Sequence, residues 1–289
     1  MANALRNGLR LGPKKTLGKI LQPINSYTRF PEYHFIGTHV EQYVLHFDPR
    51  NRVKILDVGS PKCLGLYLAY RFSVEVHLTD IYEPAVEESK ILWDAIKDRA
   101  KGKAVFSVQD GRATGYSEGY FDLVYSMSVI EHVEGEAGDS DSIREMIRVL
   151  KPGGLLLATV PIGQRYIEQD RVGVQGAARE TRTQGRYFFQ RIYAPAEVER
   201  RIISAAMPTE LRETISIQRK MNLLSRVYRN LGANLRALLG WMNPLLSAAL
   251  NFSHEGIMPG ASEYGKTHTH RDVYGDLFLR WKKTPPLET

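Results

Sequence analysis

Short, nearly continuous apolar runs recur from Val53 to Val160, and stretches with helical spacing lie between them. Val53–Val58, Val74–Thr79, Ala104–Val108, Phe121–Ser126 and Leu155–Val160 each have the length and composition of a strand buried on both faces. Ile143, Met146, Ile147 and Leu150 sit at offsets of zero, three, four and seven, which predicts one apolar helix face. Lys151-Pro152-Gly153-Gly154 then stops that helix, since proline cannot continue it and glycine accepts the turn. This alternation is the pattern of stacked βαβ units around a mostly parallel sheet. Two later runs, Glu213–Gln218 and Val273–Trp281, predict further strands. A tight hairpin would normally join such a pair, yet roughly fifty residues intervene. Residues 222–252 are rich in Leu, Ala and Asn with arginines spaced through them, and Asn243-Pro244 divides them into two predicted helices. Ahead of the first strand, Ile36, Val40, Tyr43, Val44 and Phe47 mark an amphipathic helix that caps the sheet edge or covers a ligand crevice.

Composition adds limits. At 289 residues and 43% hydrophobic content, the chain suits one large domain with decorations and excludes disorder as its dominant state. Cys63 has no second cysteine to pair with, and no signal-peptide pattern opens the chain, so a reducing cytoplasm is the expected compartment. The net charge of +7 is uneven. Residues 1–31 carry six basic side chains and residues 214–254 carry five, with no acid in either segment, leaving 28 basic against 32 acidic residues elsewhere. Residues 238–250 are apolar but shorter than the ~20 residues of a bilayer span. With arginines on their flank they suit either a peripheral membrane contact of residues 222–252, reinforced by a basic N-terminal helix, or a helical hairpin packed on the sheet or on another subunit; the packed hairpin is preferred. Few aromatics interleave with these basic residues, which argues against a nucleic-acid arm.

The candidate chemistry sits at strand ends. Gly59 closes the first strand where backbone amides approach a ligand and a Cβ would hold it off. Pro61 and Leu64 occupy the second and third glycine positions of a Gly-x-Gly-x-x-Gly fingerprint, and no Gly-Lys-Ser/Thr follows, so neither a dinucleotide nor a phosphate loop is expected. Gly65 allows close contact near the start of the following helix. Asp80 ends the second strand, where a carboxylate accepts hydrogen bonds from both hydroxyls of a ribose; the competing reading is a helix N-cap ahead of Pro84. Asp110 ends the third, either facing an exocyclic purine amine or standing as a solvated turn acid.

The blocks Ile55-Leu56-Asp57-Val58-Gly59, Leu78-Thr79-Asp80, Gln109-Asp110-Gly111, Tyr120-Phe121-Asp122-Leu123-Val124, Val129-Ile130-Glu131-His132-Val133 and Arg148-Val149-Leu150-Lys151-Pro152-Gly153-Gly154 come in an order that resembles the class I S-adenosylmethionine-dependent methyltransferases of small-molecule type, over about residues 52–161. The resemblance implies an α/β, Rossmann-like, doubly wound sheet of seven strands whose last strand is antiparallel. It implies S-adenosylmethionine as cofactor, with Asp57, Gly59, Ser60 and Pro61 flanking its methionine part, Asp80 and Ile81 its ribose, Asp110 and Gly111 its adenine, and Ser126 and Met127 the pocket floor. One departure stands out. The family carries two or three glycines in the first turn, whereas Ser60, Pro61 and Lys62 follow Gly59 here, which predicts a stiffer turn with one amide donor fewer.

Methyl transfer from a sulfonium is an in-line displacement that needs alignment above all. A hydroxyl acceptor adds the need for a base, and His132, after the fourth strand, is the candidate; packing or cofactor support is its other reading. His268 and His270 alternate with no third ligand close in sequence, so no metal is expected and they read as surface residues. Pro161 to Tyr193 reads as a long loop whose arginines and aromatics either hold an anionic or saccharide acceptor or anchor the loop to the core. The chain thus divides into a helical extension over 1–50, a cofactor-binding core over 51–219, a helical insertion over 220–270 and a last strand and tail over 271–289. The expected reaction is methyl transfer to a small-molecule, saccharide or lipid-linked acceptor, at oxygen. The alternatives are an RNA methyltransferase and a non-catalytic, membrane-associated binding protein of the same fold; oligomerisation is left open.

Overall fold

The computed structural model describes residues 29–47, 52–172, 186–219, 242–255 and 275–284, with Val227 and Leu231 besides. The elements in chain order are α1 (Phe30–Leu45), β1 (Lys54–Val58), α2 (Cys63–Arg71), β2 (Glu75–Asp80), α3 (Glu83–Asp94), β3 (Lys103–Val108), β4 (Phe121–Met127), α4 (Gly138–Val149) and β5 (Leu150–Ile162). They continue with β6 (Ile167–Val172), β7 (Arg186–Ile192), a short α5 (Pro195–Val198), β8 (Thr209–Arg219), α6 (Asn243–Leu250), β9 (Asn251–Glu255) and β10 (Gly275–Lys283).

The seven predicted strands form one sheet in the order β3-β2-β1-β4-β5-β10-β8, and β9 adds an eighth at the β8 edge. Strands β1 to β5 pair in parallel, and β10 lies antiparallel between β5 and β8. The continuous apolar runs follow from burial on both faces. Leu56, Val58, Val124, Leu156, Ala158, Leu277 and Leu279 pack on the side of α4, with Ile143, Met146 and Ile147. The alternate residues Ile55, Leu123, Tyr125, Leu155, Leu157 and Phe278 pack on the side of α1 and α2, with Ile36, Val40 and Leu68. Such two-sided burial is what period-two side-chain alternation requires of a doubly wound sheet.

The amphipathic helix before β1 is α1, and a buried acid fixes its position. Glu32, in its first turn, is 1% exposed. Its carboxylate accepts hydrogen bonds from Arg29 Nη1 at 2.8 Å, from Thr159 Oγ1 at 2.7 Å and from Ser128 Oγ. The helix is therefore pinned over the carboxyl ends of β4 and β5, beside the crevice where ligands of this architecture bind.

Two readings change. The stretch from Pro161 to Tyr193 is not one long loop: β6 and β7 pair antiparallel as a second, two-stranded sheet. Of its predicted substrate contacts, Phe188 and Tyr193 are buried in the core, and Arg179 and Arg182 lie outside the described residues. The second helix of the 222–252 region begins at Asn243 as predicted, but it ends at Leu250, and Asn251 and Phe252 begin β9. Apart from Val227 and Leu231 the first helix of that pair falls outside the described residues, as do residues 1–28 of the basic N-terminal segment, His268 and His270. Among the described residues no helix is long and apolar enough to cross a membrane, and no cluster of His, Cys, Asp and Glu is arranged to hold a metal ion.

Candidate active site

At the carboxyl ends of β1, β2, β3 and β4 lies a crevice of about 470 Å³, within the range of small-molecule and cofactor sites. It is lined by Gly59 from the β1 turn, Asp80 and Ile81 from the β2 end, Asp110 and Gly111 from the β3 end, and Ser126 from β4. A smaller chamber of about 210 Å³ opens beside it, sharing Gly59, Asp80, Ser128 and Val129 and adding Ser60, Pro61, Lys62 and Cys63.

Gly59 sits at φ +66°, and a Cβ built there would come within 2.6 Å of Val129 Cγ1. Only glycine fits, for conformational and steric reasons together. Gly65 lets α2 approach the sheet: a Cβ there would meet Leu78 Cδ2 at 2.9 Å, the Tyr125 hydroxyl at 3.1 Å and Asp57 Oδ2 at 3.2 Å.

Asp57 stands behind the crevice wall. It is fully buried, and its carboxylate accepts hydrogen bonds from Tyr125 Oη at 2.6 Å, Ser60 N at 3.0 Å and Lys62 Nζ at 3.2 Å. Burial pushes its carboxyl above the ordinary range, and Lys62 pulls it back. Its role in this geometry is to hold the turn. Ser60 does related work, its Oγ accepting a hydrogen bond from Met127 N at 2.8 Å. Met127 itself points into the α1 and α2 side of the core, so Ser126 is the member of that pair facing the crevice. Asp110 reaches the crevice with its carboxylate already engaged by Arg112, whose Nη2 is 2.6 Å from Oδ2. That guanidinium holds the Asp110 carboxyl below its usual range.

His132 lines the crevice from a single helical turn over Ile130–His132. Its Nδ1 lies 2.6 Å from the Phe189 carbonyl oxygen. A carbonyl only accepts, so Nδ1 carries the hydrogen and Nε2 is the basic nitrogen of the neutral ring. Phe189, from β7, lies T-shaped against the imidazole at 5.0 Å and lines the crevice too. Arg171 covers Phe189, 3.3 Å from the ring centroid. The β6–β7 hairpin is in turn held by fully buried Arg191, which donates to the Val133 carbonyl at 2.5 Å and to the Gly135 carbonyl, and lies 3.6 Å from buried Asp139.

Phe189 lines the crevice and is one of the aromatics that the sequence marks for acceptor contacts in the 161–193 stretch. Ser128 was not legible, and its φ of +49° is an unusual conformation for a residue with a side chain. No local signal marks Ser128; its conformation is held by the Thr159 carbonyl and hydroxyl, which its N–H meets at 3.2 and 3.0 Å, and by Glu32.

Residues 56–158 match the family described as "Methyltransferase domain". These residues are a methyltransferase domain. A tRNA (carboxymethyluridine(34)-5-O)-methyltransferase of Arabidopsis thaliana is 29% identical over 164 residues, covering 52% of this chain and 36% of that protein. The chain therefore spans about a third of the length of the curated relative it matches. Among solved structures, the MccD protein superposes with a TM-score of 0.52 at 12% identity, over 85% of this chain and 96% of that one. An S-adenosylmethionine-dependent methyltransferase from Methanosarcina mazei superposes with a TM-score of 0.47 at 15% identity, over 81% and 93%.

The cofactor of the methyltransferase domain is S-adenosylmethionine. The residues present fit it: side-chain-free Gly59 lines both chambers, and Asp80 stands at the β2 tip lining both as well. When bound, it supplies an electrophilic methyl carbon on a sulfonium, with a neutral thioether as leaving group.

Proposed function

We propose that this chain methylates an oxygen of a small-molecule, saccharide or lipid-linked acceptor, with Asp80 holding the cofactor ribose, Gln109, Asp110 and Gly111 bordering its adenine, and His132 as general base. The observation that carries this reading is the Phe189 carbonyl on His132 Nδ1, which puts the ring hydrogen on Nδ1 and the lone pair on Nε2, 3.7 Å from Glu131 Oε1. In that role His132 Nε2 would take the proton of the acceptor hydroxyl as that oxygen is methylated. Phe189 and Arg171 border the side from which an acceptor enters.

His132→Asn keeps a donor for the Phe189 carbonyl and removes the base. It should lower kcat by about 10²–10⁴-fold and abolish the acidic limb of the pH–rate profile, while binding of S-adenosylhomocysteine is retained. An unchanged kcat or an unchanged acidic limb would remove His132 from the chemistry.

An RNA acceptor is the second reading, favoured by the tRNA methyltransferase relative. Transfer of a radiolabelled methyl group to lipid, saccharide and tRNA fractions offered in parallel separates the two.

A further inference from the structure

The turn that departs from its family's glycines carries a lysine that folds back into the site. The Lys62 side chain is 8% exposed, and its ammonium lies 2.6 Å from the Thr79 carbonyl oxygen, 3.2 Å from Asp57 Oδ1 and 3.7 Å from Asp80 Oδ2. It thus bridges the acid that holds the β1 turn and the acid at the tip of β2, which is 19% exposed. The other Asp80 oxygen, Oδ1, accepts a hydrogen bond from Tyr82 N at 3.0 Å. The Asp80 carboxylate is therefore held from both ends, by a backbone amide on one oxygen and a buried cation beside the other.

We propose that Lys62 is a positioning residue for cofactor recognition: it fixes the Asp80 carboxylate in the orientation that receives the two hydroxyls of the cofactor ribose. The inference rests on the reading of Asp80 as the ribose acid. The physical case has two parts. Hydroxyls that donate to an ionised carboxylate make bonds roughly twice as strong as neutral pairs. A carboxylate already immobilised loses little rotamer freedom when the ligand arrives. Lys62 supplies that immobilisation by reaching across the turn to Asp80.

The test is displacement calorimetry with adenosine and 2′,3′-dideoxyadenosine on the full chain and on K62M, D80A and K62M/D80A, with thermal unfolding recorded on each sample. K62M should weaken adenosine by about 3- to 30-fold, the scale of coupling within one ion-pair network, leave dideoxyadenosine unchanged, and add nothing in the D80A background. K62Q, which keeps a neutral donor towards the Thr79 carbonyl, should show the same selective loss and replaces K62M if that variant does not fold. Equal losses for both nucleosides, or a K62M effect that persists beside D80A, would overturn the role of Lys62. If D80A itself leaves adenosine binding unchanged, the ribose assignment fails instead.

Discussion

Replacing Gly59 with alanine tests the turn geometry most directly, because two separable costs meet there. The left-handed φ of +66° makes the first, at ~1–2 kcal/mol for a residue with a Cβ. The second is overlap. A Cβ 2.6 Å from Val129 Cγ1 is about 1 Å inside ordinary carbon–carbon contact, and forced overpacking of this kind costs ~1–3 kcal/mol. Gly59→Ala should therefore destabilise the protein by ~2–5 kcal/mol in urea unfolding. It should also weaken S-adenosylhomocysteine, since Val129 lines both chambers and gives way into them. Val129→Ala removes both γ carbons and leaves Val129 Cβ at 3.6 Å, an ordinary contact. In that background the same substitution should cost only the backbone part, so the double-mutant cycle should show a coupling of ~1–3 kcal/mol. If Gly59→Ala costs as much beside Ala as beside Val, the steric half of the argument is wrong.

Glu131 is fully buried, burial raises its carboxyl to about 8, and its Oε2 has no hydrogen-bond partner among the described residues. The folded state therefore keeps a proton that the unfolded chain releases above its ordinary value of 4.5, so stability should fall as pH rises from about 4.5 to 8 and level off beyond, by about 1.4 kcal/mol per pH unit at most. Glu131→Gln should flatten that slope in unfolding curves taken across the window, and identical slopes in the two proteins would refute the assignment. Arg191→Met should cost ~3–5 kcal/mol, because it strips a buried cation from Asp139, Glu168 and two loop carbonyls. It should also slow methyl transfer by loosening the hairpin that supplies the Phe189 carbonyl to His132; full activity would separate the hairpin from catalysis.

Seven strands, α1 and α4 were legible because each rests on local pattern, apolar runs or a helical face, but α4 ends at Val149, and Leu150 with Lys151-Pro152-Gly153-Gly154, expected to be helix end and turn, already belongs to β5. The β6–β7 hairpin was not. Its strands are mostly half-exposed and show no clean alternation, and what secures it is buried Arg191 reaching across to Asp139, more than fifty residues away. An edge strand such as β9 likewise carries no apolar run of its own, and its pairing with β8 supplies the register.

The same division runs through the site. Asp80, Asp110, Gly111, Ser126 and His132 are found at the crevice because strand ends of a parallel sheet converge there, and the sequence marks where each strand ends. Which way a side chain turns from that point is a matter of neighbours brought in from elsewhere. Asp57 is drawn behind the wall by Tyr125 and Lys62, Met127 turns into the core, and Lys62 reaches Asp80 at a separation of 18 residues. The sequence alone determined the order of strands and the residues at their tips, since hydrophobic periodicity is a local property of the chain. The tertiary structure decided their partners and the roles those partners permit, because a buried charge or a hydrogen bond is satisfied by whatever the fold places within reach.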